Sequence, residues 1–317
     1  MPILYLDRMP SPNPTELHLS PAQRDDWLPA WNLVFRELPS DRRPRRISES
    51  LGLARLNPAA VSDLLAAYRG TEMVAAVWGQ VMPGKTAVVW GPGLKIGENT
   101  AAVQKLLARL VARLADQQVR VVQGLPASSA AAEQFGGCGF DACLDLLYLA
   151  ANVNPASVDH ETGQSEASDL RFVPYQPDLR PEFAAVIEAT YEETLDAPLL
   201  NGKRDVEDVI DGYLTTGSFN AGRWSLVRSA DRAVGCLLLA DHPDRDQCEL
   251  VYMGLLPAER GRGWGKQLVD YALWQTAQAD RQQLILAVDA ENDPAIRIYS
   301  EAGFQPFLRQ AVRIRFL

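Results

Sequence analysis

The two halves of the chain end alike. AAAEQFGGCGF closes on Phe140 and PAIRIYSEAGF closes on Phe304, an offset of 304 − 140 = 164 residues. At that offset Gly139 faces Gly303, Phe135 faces Tyr299, Ala131 faces Ala295 and Gly97 faces Gly261. The apolar run at 120–122 likewise falls opposite the run at 284–286. A repeat of that length is a whole domain and not a solenoid unit. Midway, NPASVDHETGQSEASD (154–169) is acidic, small and without apolar periodicity, the composition of a linker. The expected layout is therefore a first domain over 1–153, a linker over 154–168 and a second domain over 169–317.

The second half reads clearly. Strands are expected at 170–176, 223–229, 233–240, 248–256, 283–289 and about 307–316, and helices at 180–194, 205–216, 263–279 and after Asn292-Asp293-Pro294. Asp293 and Pro294 suit N-cap and first helical position. On the 263–279 helix Leu268, Ala272, Leu273 and Thr276 fall on one face. The order β-α-α-β-β-β-α-β-α-β is mixed α/β, not a doubly wound dinucleotide fold.

Composition narrows the function. With 31 Lys+Arg against 40 Asp+Glu the formal charge is −9, which disfavours nucleic-acid phosphates as partners. Cys138, Cys143, Cys236 and Cys248 lack CxxC spacing and the three histidines are scattered, so no metal site or disulfide framework is expected. The opening MPILYLDRMPSPNP is too short an apolar stretch for a signal peptide, and no run of about 18 apolar residues occurs. A cytoplasmic protein with no membrane partner is the expectation.

The chemistry concentrates in RGRGWGK (260–266), between a strand and a helix. A Gly-rich turn into a helix start aims unpaired N–H groups, backed by the helix dipole, at one anion. Gly261, Gly263 and Gly265 permit close approach, and Arg260, Arg262 and Lys266 add positive charge. A pyrophosphate fits. The P-loop pattern fails, because Arg260 stands where its first Gly belongs and Gln267 follows Lys266. The plain alternative is a glycine-rich helix start with no ligand.

These residues carry a family resemblance. Arg260-Gly261-Arg262-Gly263-Trp264-Gly265 resembles the R/Q-x-x-G-x-G/A signature of the GCN5-related N-acetyltransferases (GNAT), and MGLLPAE (253–259) resembles the strand-and-proline lead-in to it. ENDPAIRIYSEAGF (291–304) resembles the family's second motif, in the same order along the chain. The layout is similar to that of the family's tandem-domain mycothiol synthases, with Glu249 ahead of Gly254-Leu255-Leu256-Pro257.

The resemblance implies two tandem GNAT-like domains, each a mixed, mainly antiparallel twisted sheet flanked by helices. It implies acetyl-CoA as the acyl-donor substrate, no metal, and a small-molecule or peptide amine as acceptor. Glu249 would be the base, on a strand whose period of two puts it on one face with Val251, Met253 and Leu255. Tyr299 would be the acid for the departing thiolate. Asn292 would bond the pantetheine arm or simply cap its helix. The main chain of Met253 and Leu255 would pair with pantetheine amides, with Gly254 giving clearance. Trp264 packs beside the turn in preference to stacking on adenine.

Tyr191, Glu192, Glu193 and Asp196 can attract a cationic acceptor or simply be solvated. The first half has GPGLKIGENTAA (91–102) for the turn, and Ser128 and Phe135 for the Asn and Tyr. It is expected to be structural or substrate-shaping, with coenzyme binding without turnover left open. The assembly is a monomeric pseudo-dimer or a homodimer. A non-catalytic acyl-CoA-binding regulator or scaffold is the competing reading of the whole.

Overall fold

The computed structural model describes residues 16–154 and 170–317. The opening stretch and all of the expected linker except Asn154 lie outside them. The elements run β1 (Leu17–Pro21), α1 (Trp27–Val34), α2 (Arg43–Leu56), β2 (Leu64–Arg69), β3 (Glu72–Met82), β4 (Thr86–Leu94), α3 (Ala101–Asp116), β5 (Val121–Leu125), α4 (Ser129–Gly136) and β6 (Ala142–Asn152). Then come β7 (Leu170–Pro174), α5 (Arg180–Thr190), α6 (Val206–Leu214), β8 (Trp224–Ser229), β9 (Arg232–His242), β10 (Gln247–Leu255), α7 (Trp264–Gln278), β11 (Gln283–Asp289), α8 (Asp293–Glu301) and β12 (Gln305–Phe316). The element order expected for the second half is the one found, and the first half repeats it. Among the described residues no helix is long and apolar enough to cross a membrane.

The chain forms two compact units, one of Met1–Cys143 with Val312–Leu317 and one of Leu144–Ala311. This division differs from a cut at 153/154. The ladder explains why: β6 pairs antiparallel with β11 from Leu146↔Asp289 to Asn152↔Gln283, while Arg313–Phe316 pair with Val121–Gly124 of β5. Strand pairing follows backbone hydrogen bonds, whereas the cut at the linker followed composition.

In the first unit the order is β1-β2-β3-β4-β5 and then the end of β12. α3 covers one face through Val103, Leu106, Leu107, Leu110 and Leu114, an i, i+3, i+4 stripe buried against β3, β4 and β5. The other face carries Trp31, Phe35 and Trp78 beneath α1 and α2.

In the second unit the order is β6-β11-β10-β9-β8-β7, antiparallel except for the parallel β10–β11 pair. α7 and α8 cover one face with Leu268, Ala272 and Tyr299. α5 and α6 cover the other with Phe183, Ile187 and Ile210. Being covered on both faces, β9 reads as a continuous apolar run, VGCLLLA, without polar alternation.

One irregularity shapes everything that follows. Along β9, Leu250 pairs with Leu239 but Tyr252 pairs with Leu238, so Val251 is the extra residue of a β-bulge. Cys248 and Leu250 face the α7/α8 core, Val251 and Tyr252 the α5/α6 core, and Met253 and Leu255 the α7/α8 core again. Glu249, opposite in phase to Cys248 and Leu250, is therefore not on the face of Met253 and Leu255. The period-of-two expectation fails at the bulge.

Candidate functional site

The β10–β11 pairing stops at Leu250↔Leu286, just before the bulge. Beyond it the two strands separate, and β10 continues paired only with β9 through Leu255. A cavity of about 480 Å³ opens there, bounded by Tyr252–Leu255, the 193–196 loop, the glycine turn and the start of α8. Gly254 is needed for closeness: a Cβ on it would lie 2.8 Å from the Thr190 side chain.

The glycine turn meets the cavity at Arg260, Gly261, Gly263 and Gly265. Gly261 and Gly263 have φ of +76° and +78°, a conformation that side chains rarely adopt. Gly265 serves differently, since a Cβ there would stand 2.9 Å from Ile298 Cδ1. Gly263 is the N-cap of α7 without a capping side chain. The first-turn amides of α7 thus present a positive concavity toward the cavity.

The cations of the motif are occupied elsewhere. Arg260 donates to four carbonyls: Leu255 at 3.2 Å, Glu193 at 3.0 Å, Thr190 at 2.9 Å and Glu192 at 2.8 Å. It ties the carbonyl end of α5 to the end of β10, where a guanidinium fork suits several acceptors at once. Arg262 pairs with buried Glu259 at 3.2 Å and lies over the Trp264 ring at 5.2 Å. Glu259 also holds Arg232 at 2.9 Å. Lys266 pairs with Asp270 at 2.7 Å. Arg262, Trp264 and Lys266 do not line the cavity, and Trp264 is buried beside the turn as expected.

Asn292, rather than Asp293, is the N-cap of α8. Its Oδ1 accepts from Ala295 N at 3.3 Å, and Pro294 follows within the first turn. It lines the cavity as well, so capping and cavity roles coexist in one residue. Two turns further on, Tyr299 lies outside the cavity lining, buried against Phe304 with ring centroids 5.6 Å apart. Burial first, and then the charge of Asp196, push its hydroxyl well above the ordinary phenol range.

Asp196 belongs to a crossed brace. Its Oδ1 accepts from Asp289 N at 3.0 Å, while Asp289 Oδ2 accepts from Ala197 N at 3.2 Å. Burial raises the pKa of Asp196, and Asp289 N–H pulls against that rise. The loop so pinned contains two non-glycine residues with left-handed backbones, Glu193 at φ +52° and Ala197 at φ +48°. Strain of that kind gathers at functional loops.

Glu249 lies outside the cavity lining. Its Oε2 is 2.8 Å from His242 Nε2, and its charge also acts on Tyr148, whose hydroxyl is pushed up first by burial and then by that charge. Tyr148 is on β6, a strand expected in the first domain. Sequence reasoning passed over His242 and Tyr148. The hairpin between β9 and β10 was a signal for the first, because its short connection brings residues near 242 opposite 247–249.

Residues 187–304 match the model of the acetyltransferase (GNAT) family. A mycothiol acetyltransferase of Corynebacterium efficiens is 35% identical over 82 residues, 26% of this chain and 27% of that protein. The chain thus matches about a quarter of that relative's length. A GCN5-related N-acetyltransferase of Sphaerobacter thermophilus superposes with a TM-score of 0.63 at 15% identity, covering 95% of each chain. A tandem GNAT protein from the clavulanic acid biosynthesis pathway gives 0.52 at 14% identity, over 95% of this chain and 98% of that one. The fold is theirs.

Proposed function

We propose that the second unit transfers an acetyl group from acetyl-CoA to the amino group of a small-molecule or peptide acceptor. The observation that carries the reading is the uncapped start of α7 opening onto the cavity where β10 and β11 part. Orphan amides there suit a pyrophosphate, and the exposed edge of β10 beyond the bulge suits the amides of a pantetheine arm, as an added strand would. The matched relative is named an acetyltransferase, which makes acetyl the first acyl group to test.

The steps follow from the residues. A lysine-like amine titrates near about 10.4 and an α-amine near about 8, so a proton must leave before or during attack. Glu249, set back from the cavity, takes that proton through one water. The nitrogen lone pair attacks the thioester carbonyl, the C–N bond forms and the C–S bond breaks. Tyr299 supplies the hydrogen bond, and at completion the proton, to the thiolate, and the phenolate so formed regains its proton from solvent. Its raised pKa keeps it a donor throughout the neutral range. Asn292 and the Met253–Leu255 backbone hold the donor, and Arg260 acts by holding the cavity wall. The first unit is proposed to be non-catalytic.

Calorimetric titration with acetyl-CoA, followed by mass analysis of ethanolamine, glucosamine, spermidine and alaninamide incubated with it, tests the reading. One site per chain and an acetylated amine are expected. Binding with no transfer to any amine favours the acyl-CoA-binding regulator, and no binding removes both.

A further inference from the structure

Glu249 does not stand alone. His242 closes β9, and the register that pairs it with Gln247 and pairs Ala240 with Glu249 makes His242 and Glu249 diagonal neighbours. Their side chains meet at 2.8 Å and are 17% and 31% exposed. The Gly217 backbone also lies close to the imidazole. A Cβ on Gly217 would lie 2.9 Å from His242 Cε1 and 3.0 Å from Nε2. That loop is itself fixed by Ser218 N to Asp241 O at 2.7 Å and Asp241 N to Ser218 O at 3.2 Å. The ring is thus held against Glu249.

An ionised carboxylate only accepts hydrogen bonds, so Nε2 carries the proton and donates it to Oε2. Oε1 is left as the oxygen that can take a proton. We infer that His242 is a positioning residue for acetyl transfer: neutral, it fixes the Glu249 carboxylate so that Oε1 receives the amine proton, and protonated, it pairs with Glu249 and weakens it as a base. The inference rests on the proposed transfer reaction and extends it. In the step, the attacking nitrogen loses its proton to the intervening water, which passes one of its own to Oε1, while His242 keeps its own; the carboxylic acid returns that proton to solvent after the product leaves.

The surrounding charges leave Glu249 as the carboxylate in contact with the ring. On β9, Asp241 is held by Arg223 at 2.8 Å and Arg281 at 2.7 Å. In the turn after β9, Asp244 pairs with Arg245 at 3.7 Å, and Asp246 acts on Arg281. On β10 the neighbour Cys248 is buried with a raised thiol pKa, and from β6 Tyr148 stays a neutral phenol. The plain alternative is a hydrogen bond that merely steadies the hairpin. That role would cost stability without touching the pH profile.

The two are separated by kcat and kcat/KM from about pH 5 to about pH 9 for the full chain and the variants His242→Gln and His242→Ala, with acetyl-CoA and the four amines above. The expected result is a drop in kcat of about tenfold or more for His242→Ala, the loss of one charge-assisted hydrogen bond. His242→Gln, which can still donate, should recover much of that drop, and its acid limb should move to lower pH because glutamine does not titrate. Equal limbs in wild type and His242→Gln, or no recovery in a folded His242→Gln protein, overturn the inference.

A second measurement needs no acceptor. The chain has three histidines, so imidazole NMR signals can be assigned by difference. In its neutral form the His242 ring should carry its proton on Nε2, and that preference should be lost in Glu249→Gln, whose amide can donate to Nε2 as readily as accept from it. An unchanged tautomer ratio overturns the pairing. If wild type binds acetyl-CoA but acetylates none of the amines, the transfer reading fails for them, and the tautomer measurement decides the pairing alone.

Discussion

The turns that lead into α3 and α7 occupy the same place in the two units, and they handle the same helix dipole in opposite ways. Each needs a left-handed glycine, Gly97 at φ +82° and Gly261 at φ +76°. In the first unit a side chain takes the first helical amide, Asn99 Oδ1 accepting from Ala101 N at 2.8 Å, and just ahead of the helix Glu98 accepts from Asn99 N at 2.9 Å and grips Arg69 through two bonds of 2.9 Å. In the second unit no side chain caps the helix. The strands before the turns differ too. A Cβ on Gly93 would stand 2.0 Å from the carbonyl oxygen of Leu33, so α1 lies directly on the end of β4, where the second unit has its cavity. A glycine turn before a helix is an anion site only where the chain does not fill it itself.

The largest test of this contrast is the turn before α7. Replacing Gly263 by Val forces a β-branched residue to φ +78°, and replacing Gly265 by Leu drives a side chain into Ile298. The double variant should weaken acetyl-CoA binding by about a hundredfold or more in calorimetry, through lost amide contacts. Gly97→Val should strain the first unit yet leave that affinity unchanged. Equal losses would mean that the first turn also binds the ligand.

Next is Arg260. If it were a phosphate clamp, Arg260→Ala would cost affinity and little stability; as a staple of four carbonyls it should cost about 1–2 kcal/mol of stability, because the buried Thr190 carbonyl and the half-buried Leu255 carbonyl lose a charged donor. Denaturant unfolding distinguishes the two, and Arg260→Lys should not restore stability because a single ammonium cannot span the same acceptors. Arg262→Ala, which only releases Glu259 and uncovers Trp264, should change affinity far less. Smaller still are the matched caps. Ser128 Oγ accepts from Ala131 N at 3.1 Å as Asn292 Oδ1 does from Ala295 N at 3.3 Å. Each change to Ala should cost about 1 kcal/mol, and Asn292→Ala alone should also weaken acetyl-CoA binding.

The element order was legible because apolar periods, glycines and caps are local signals. β11 falls on the expected 283–289, and the Phe135–Phe140 contact at 4.9 Å mirrors Tyr299–Phe304, as the repeat implied. What stayed hidden is non-local. The bulge at Val251 adds one residue without a glycine or proline to mark it, so Glu249 was placed with Met253. Arg260 and Lys266 look identical in sequence as phosphate ligands, and only the packing of α5 against β10 shows that the first already has its acceptors. The alternation of β12 shows a strand but not that its last residues pair with β5, because a strand's partner is not written in its own pattern.

The smallest effect sharpens the contrast from the first unit's side. The bonds from Arg69, then the amide of Asn99, pull the Glu98 carboxyl down to about 2 from an ordinary value of 4.5. A carboxyl depressed in the folded state contributes stability that is present above the unfolded value and is lost as pH falls through the folded one. Wild type should therefore melt above Glu98→Gln near neutral pH, and the two midpoints should converge as pH falls from about 5 toward about 2. The Arg69 end of the pair is about a third exposed, so the gap should also narrow in high salt. Removing this carboxylate from the turn ahead of α3 should not create a second acetyl-CoA site, because Asn99 still takes Ala101 N and α1 still lies on Gly93. A stoichiometry of two for Glu98→Gln would show that the internal carboxylate alone keeps the first turn from binding, and that the closed strand end counts for nothing.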